Sequence, residues 1–188
     1  MVSCSTDDSH FKIDGRLLHL NQGEFYVYTP DGENGKLDTI KVEAGRFSYE
    51  VPCRRPMTLM IIFPNFTEQP VFAEPGKTVE IRGSASNLKE MEVKGTDDNK
   101  LMNSFREQVA SASPPEARKY ARQFILDHPA SMVGSYLVRR YFIQSQSPDL
   151  AVADSLITLM LKHQTKYGYL RQLQRQIKGR GSSKTGTA

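Results

Sequence analysis

The stretch MEVKGTDDNKLMNSF, residues 91–105, contains the change of hydrophobic period on which the fold assignment rests. Before Gly95, apolar and charged residues alternate, as in a half-buried strand. After Gly95, the apolar positions follow helical spacing; they are Leu101, Met102 and Phe105. Residues 96–99 offer N-cap side chains and place two acids where the dipole of a helix start favours them. The sequence therefore predicts an α+β fold with a β-rich first half and a helical second half.

Residues 10–95 show the period-two pattern of short strands. Residues 57–63 are almost continuously apolar, which predicts a strand covered on both faces. Seven to eight strands with no helix between them indicate an antiparallel β-sandwich or barrel. The apolar positions of the alternating strands are Phe11, Ile13, Leu17, Phe25, Val27, Ile40, Val42, Phe47, Tyr49, Val51, Val79, Ile81, Met91 and Val93.

Glycines and one proline mark the predicted turns. Gly15 interrupts the first strand and predicts a bulge or bend there. Gly45 belongs to a tight turn between the third and fourth strands. Pro75 and Gly76 predict a type II turn, because proline fixes φ at the first central position and glycine accepts a positive φ at the second.

Residues 96–178 predict a helical domain of about five helices. The clearest apolar stripe has i, i+3, i+4, i+7 and i+8 spacing, and its members are Ala117, Tyr120, Ala121, Phe124 and Ile125. The Gly/Ser-rich residues 179–188 have the composition of a flexible linker or tail. Residues 1–9 precede the first strand and are polar after Cys4.

Charge is distributed unevenly along the chain, although the formal net charge is only +4. Acidic residues predominate in residues 1–98, and no acidic residue follows Asp154. A basic second half could bind nucleic acid or an anionic surface. A solvated helix face and tail explain it better, because no recognised nucleic-acid motif is present. No apolar run approaches the ~20 residues that span a bilayer.

Catalytic and metal-binding patterns are not found in the sequence. The four histidines lie in no recognised motif, and His128 before Pro129 is typical of a helix end; the other three are His10, His19 and His163. Cys53 precedes two arginines that could lower its thiol pKa, but it has no resolving cysteine, which favours an inert loop residue. We therefore predict no catalytic, cofactor-binding or metal-binding residue, and no cofactor.

Cys4 suggests a lipid attachment site. Acylated bacterial lipoproteins are cut before a cysteine that follows small or apolar residues, and Val2-Ser3-Cys4 has that form. The polar, acidic residues 5–9 would serve as a tether, and Met1 would then lie inside the export signal. The alternative is an incidental cysteine at a frayed terminus.

Five short motifs, in order, resemble the uncharacterised N-terminal domain of thioredoxin-like, TlpA-type thiol–disulfide oxidoreductases, many of which are lipoproteins. The motifs are Phe11-Lys12-Ile13-Asp14-Gly15, Leu37-Asp38-Thr39-Ile40, Gly45-Arg46-Phe47, Glu74-Pro75-Gly76, and Val93-Lys94-Gly95-Thr96 leading to Asn99, Leu101 and Phe105. The helical half is also similar around His128-Pro129, Ser131 and Tyr136, so the resemblance covers roughly residues 10–178. The matching residues suit turns and core positions, so no catalytic site is carried over.

The resemblance implies a non-catalytic accessory module of an outer-membrane lipoprotein, facing the periplasm or the cell surface. Its expected partner is a thioredoxin-like domain in cis or in trans, and self-association into a homodimer stays open. The membrane would be reached only through the lipid on Cys4, and no nucleic-acid partner is expected. The alternatives are a stand-alone binding protein that presents the sandwich to a peptide or glycan, a binder of nucleic acid or anionic surfaces that uses the basic C-terminus and, last, an enzyme.

Overall fold

The structure, a computed structural model, describes residues 8–31, 36–164 and 168–182. The chain divides into two compact units, Met1–Ala110 and Ser111–Ala188. Among the described residues, the first unit contains the strands and one helix, and the second contains helices only.

Eight strands of the first unit form one mixed sheet. Their order across the sheet is β6-β5-β2-β3-β4-β1-β7-β8, and the sheet curves into a nearly closed barrel. The strands are β1 (His10–Leu18), β2 (Gln22–Tyr28), β3 (Asp38–Glu43), β4 (Arg46–Pro52), β5 (Met57–Ile62), β6 (Glu68–Ala73), β7 (Thr78–Ser84) and β8 (Asn87–Lys94). The predicted α+β fold is confirmed, and of the two predicted architectures the structure shows the barrel.

One pairing in the sheet differs from the antiparallel expectation. β1 lies between β4 and β7, pairing antiparallel with β4 and parallel with β7. Parallel neighbours need a long connection, and here the chain forms five other strands between β1 and β7. This long-range pairing has no local sequence signal.

Inward-facing residues of the strands fill the barrel core. The alternation predicted for β1 to β4 is present, with Phe11, Phe25 and Ile40 almost fully buried. Three aromatic rings pack edge to face: Phe25 lies 5.1 Å from Phe47 and 4.8 Å from Phe63 between ring centroids. In β5, four consecutive residues, 58–61, are buried, as the continuous apolar run predicts.

Helix α1 (Asp97–Val109) contacts both edge strands of the sheet, β6 and β8. The Asn99 amide donates to the carbonyl oxygen of Phe72 at 2.8 Å and accepts from the Phe72 N–H at 3.0 Å. One turn later, the Asn103 amide makes the same pair of bonds with Val93, at 2.8 and 2.9 Å. Each side-chain amide thus replaces the neighbouring strand that an edge residue lacks.

Arg106 adds to these contacts between α1 and the edge strands; we call the set formed by Asn99, Asn103 and Arg106 the helix seam. Its side chain is almost fully buried and donates to the Gln69 side chain at 3.0 Å, to the Pro70 carbonyl oxygen at 3.3 Å and to the Asn103 Oδ1 at 3.0 Å. Because of these bonds, α1 belongs to the unit that contains the sheet. The sequence placed the boundary at residues 95 and 96, where the period changes, whereas the compact unit ends at Ala110.

Two of the turns singled out in the sequence have a glycine with positive φ. In the turn between β3 and β4, Ala44 has φ 51° and Gly45 has φ 74°. Gly76 also has φ 74°, and the Lys77 N–H donates to the Glu74 carbonyl oxygen at 3.2 Å. That geometry suits the second central residue of a type II turn, with Pro75 before it.

Gly15 does not form the bulge or bend that the sequence predicted. It lies in unbroken register, opposite Phe47 on β4 and opposite Ile81 on β7. A Cβ at this position would lie 2.0 Å from the Phe47 Cζ atom. Glycine is therefore required by the ring that crosses its inward face and not by a change in strand direction.

The second unit is built from four α-helices and a π-helical segment within the described residues. The helices are α2 (Pro114–Asp127), α3 (Val133–Val138), α4 (Leu150–Leu161) and α5 (Tyr169–Ser182), and residues Arg139–Ile143 form the π-helical segment after α3. With α1 this makes five α-helices, as predicted. At the start of α4, the Asp149 side chain accepts from the Val152 N–H at 3.1 Å, which satisfies a free helix-start donor.

Arg118 on α2 holds the π-helical segment in place. Its guanidinium donates to the Tyr141 carbonyl oxygen at 3.0 Å and stacks over the Phe142 ring at 5.2 Å. A second group of its bonds reaches the loop before α4, at the Ser147 carbonyl oxygen and the Ser145 hydroxyl. These contacts stabilise a wider helical turn that a plain 3.6-residue pattern does not predict.

Helix α5 extends past the position predicted for its end. The sequence assigned residues 179–188 to a flexible tail, but residues 179–182 are helical, with Arg180 in the last turn, where the dipole favours a cation. Residues 183–188 lie outside the described part of the chain.

Candidate binding groove

The outward side chains of three neighbouring strands form rows of like charge. Alternation points Arg16 of β1, Arg46 of β4 and Arg82 of β7 away from the core. The register places Arg46 opposite Arg16, and Arg16 opposite Arg82. Three arginines therefore lie side by side across the sheet; we call them the arginine row. The next row, two residues away, contains Ser48, Asp14 and Glu80.

An open groove of about 750 Å³ covers both rows. Its lining includes the six residues of the two rows, and β3 adds Lys41 and Glu43. A volume of this size falls within the range of small-ligand pockets. The groove is thus large enough for a small molecule or for a few residues of an extended chain.

The charges in the groove are only partly neutralised. The Arg82 guanidinium donates to the Glu80 carboxylate, with Nε at 2.7 Å from Oε1. Neither the Arg16 guanidinium nor the Arg46 guanidinium makes a hydrogen bond or an ion pair with any other described residue. Like charges directly opposite on neighbouring strands are destabilising, so two adjacent free guanidinium groups attract anions.

Cys53, the only thiol in the described part of the chain, is buried and poorly suited to react. Its Sγ donates to the Arg55 carbonyl oxygen at 3.3 Å. Burial raises the pKa of the thiol, the charge of Glu74 raises it further, and the hydrogen bond to Arg55 opposes both effects. The two arginines that follow it therefore do not activate it.

Two further groups of the first unit have raised pKa values. Burial, followed by repulsion from Asp98, raises the pKa of the Glu74 carboxyl. Burial also raises the pKa of the Tyr49 hydroxyl, which donates to the Asp38 carboxylate at 3.0 Å and is further held in the neutral form by that charge. Neither residue lines the groove.

The other predicted residues are scattered. Cys4 lies outside the described residues, so its surroundings are not described. His10 contacts the Ser9 hydroxyl, His19 contacts the Ser84 hydroxyl at 2.9 Å, and His128 stacks on Phe124 at the end of α2. His163 is exposed after α4. The structure does not bring any of the four histidines to the groove.

Within residues 8–31, 36–164 and 168–182, no group of His, Cys, Asp and Glu side chains could hold a metal ion. In the same part of the chain, no helix combines the length and the apolar character needed to cross a membrane.

Sequence reasoning missed the arginine row and the helix seam for different reasons. The alternation along β1 already showed that Arg16 faces outward, but its two neighbours come from strands far away in the sequence. For the seam, the spacing of Asn99, Asn103 and Arg106 along α1 was a usable signal, because polar residues at i, i+4 and i+7 lie on one face of a helix.

The geometry of the first unit defines a class of protein: a mixed β-barrel whose open seam is covered by a helix. The family match found in the chain lies within this unit. A DUF4369 domain, a domain of unknown function, is found at residues 11–102. The matched residues begin in β1 and end within α1, so they include Asn99 and the whole arginine row. No curated protein and no solved structure matches the chain significantly.

Proposed function

We propose that this chain is a non-catalytic interaction module of a cell-envelope lipoprotein that works with a thioredoxin-like thiol–disulfide oxidoreductase domain, in cis or in trans. The observation that carries the proposal is the DUF4369 domain at residues 11–102, because the motifs that resemble the N-terminal domain of TlpA-type proteins lie almost entirely within it. The thioredoxin-like partner and the envelope location rest on that resemblance.

The state of Cys53 supports a non-catalytic role for the described residues. Thiol–disulfide exchange requires a thiolate that can reach a disulfide. Cys53 is almost fully buried, and its raised pKa keeps it in the thiol form near neutral pH. The redox chemistry would therefore be supplied by the partner domain, while this chain binds or positions that domain or its substrate.

Association with the partner is tested by NMR titration. We expect the ¹⁵N-labelled chain to show saturable shifts on addition of a TlpA-type thioredoxin-like domain encoded in the same genome. The Cys53→Ala variant should show the same shifts, because the buried thiol contributes no contact. Absence of shifts with both the oxidised and the reduced domain would contradict the association.

Lipid attachment at Cys4 is tested on the full precursor. We expect the wild-type protein to sediment with the outer membrane and to gain a lipid mass, whereas Cys4→Ala should do neither. Multiple acyl chains anchor a protein firmly, so the difference in fractionation should be nearly complete. Cys53→Ala is the matched control and should remain lipidated. Equal solubility of wild type and Cys4→Ala would remove the local support for an envelope location.

The groove favours a second candidate function, a stand-alone protein that binds a peptide or a glycan on the barrel surface. Its volume of about 750 Å³ and its mixed charges fit a polar ligand. A thioredoxin-like partner is not needed for this function. The NMR titration distinguishes the two candidates, because a stand-alone binding protein would show no shifts on addition of the thioredoxin-like domain.

A further inference from the structure

The arginine row places three cations side by side on the outer face of the barrel. Neighbouring strands lie about 4.8 Å apart, so Arg46, Arg16 and Arg82 occupy a strip about 10 Å wide. Only Arg82 has an acidic partner in the structure, and that partner is Glu80. Arg16 and Arg46 are directly opposite each other on neighbouring strands, and neither guanidinium has an ion-pair partner among the described residues, although Glu43 lies opposite Arg46 on its other side.

The number and shape of these groups select a type of anion. A guanidinium matches the oxygens of a carboxylate or a phosphate through two parallel hydrogen bonds. A carboxylate has two oxygens and one charge, which one guanidinium can satisfy. A phosphate monoester has three terminal oxygens and nearly two charges, so it can use two or three arginines together. Lys41 and Glu43 also line the groove, and they add a fourth cation and a third carboxylate.

The neighbouring row supplies a second type of contact. Ser48, Asp14 and Glu80 lie two residues along the strands from the arginines, a distance of about 6.6 Å. Carboxylates accept hydrogen bonds and would repel a second anionic group. They fit hydroxyl groups located several ångströms from a phosphate, as in a phosphorylated sugar. The groove, which covers both rows, has room for such a molecule.

We propose that the groove binds a phosphorylated sugar, with the phosphate on the arginine row and the sugar hydroxyls on the row of Ser48, Asp14 and Glu80. Binding neutralises the repulsion between Arg16 and Arg46. It also releases Arg82 from Glu80, which frees that carboxylate for a sugar hydroxyl. This inference is independent of the proposed partner and of the envelope location, so its failure would leave both unaffected.

The site is tested by titrating the full chain with glucose 6-phosphate, inorganic phosphate and glucose at low salt, by calorimetry and NMR. We expect glucose 6-phosphate to bind, inorganic phosphate to bind more weakly, and glucose not to bind measurably. Arg16→Gln should weaken glucose 6-phosphate binding at least about tenfold, because a charge-assisted hydrogen bond is lost. Asp14→Asn should reduce the difference in affinity between glucose 6-phosphate and inorganic phosphate, because Asp14 is proposed to contact the sugar hydroxyls.

Arg54→Gln is the matched control, since it removes the same charge from an exposed position of the first unit that does not line the groove, and it should leave binding unchanged. Both arginine variants are exposed and should keep the wild-type circular dichroism spectrum. Failure of the wild type to bind either phosphate, or equal binding by wild type and Arg16→Gln, would overturn the site. Equal affinity for glucose 6-phosphate and inorganic phosphate would overturn the sugar assignment.

Discussion

Replacing Asn99 by Leu is expected to lower the free energy of unfolding of the first unit by about 3 kcal/mol. Leucine has the same branching at Cγ as asparagine but no polar side-chain atom. The N–H and the carbonyl oxygen of Phe72 would lose their hydrogen-bond partners, and both Phe72 and residue 99 are fully buried. A buried polar group left without a hydrogen bond costs about 1–3 kcal/mol, and two such groups are affected here. Denaturant unfolding gives the value.

Asn103→Leu and Ser104→Leu are the controls for this prediction. Asn103 makes the equivalent bonds to Val93 but is only partly buried, so its loss should cost less. Ser104 is exposed on α1 and should be nearly neutral. Amide hydrogen exchange should accelerate at Phe72 in Asn99→Leu, and at Val93 in Asn103→Leu. A stability of Asn99→Leu within 0.5 kcal/mol of wild type would show that the seam does not hold the barrel edge.

Replacing Gly15 by Ala is expected to destabilise the barrel by about 2 kcal/mol, within the range for overpacked cores. The new Cβ would lie 2.0 Å from the Phe47 Cζ atom, so the ring must move. Phe47 packs edge to face against Phe25, and its displacement would weaken that contact as well. Thermal and denaturant unfolding measure the loss.

Gly23→Ala is the control for this prediction, because it tests the effect of alanine in a strand without the clash with the Phe47 ring. A Cβ on Gly23 would come no closer than 3.5 Å to Leu20, which is an ordinary contact, so this variant should be neutral or slightly stabilised. In the double variant Gly15→Ala with Phe47→Leu, the shorter side chain should recover part of the loss, giving a favourable coupling energy. Equal effects of Gly15→Ala and Gly23→Ala would exclude the ring as the cause.

Local patterns were sufficient to predict most elements of this protein, but not β6 or the π-helical segment after α3. The alternation of Phe11, Ile13 and Leu17 and the helical stripe that includes Ala121 and Ile125 each reflect one element burying one face. The turn at Gly76 was readable because positive φ is unfavourable for other residues. Gly15 was misread, because a glycine that leaves room for a distant ring has the same local signature as one that bends a strand.

The sequence by itself therefore determined the α+β class, most of the strands and helices, and the order in which they occur. The parallel pairing of β1 with β7, the inclusion of α1 in the barrel unit and the arginine row were decided only by the tertiary structure. The physical reason is the same for all three. Register, seam contacts and charge rows depend on which distant strands become neighbours, and this follows from closing the sheet around a shared core, to which residues far apart in the sequence contribute.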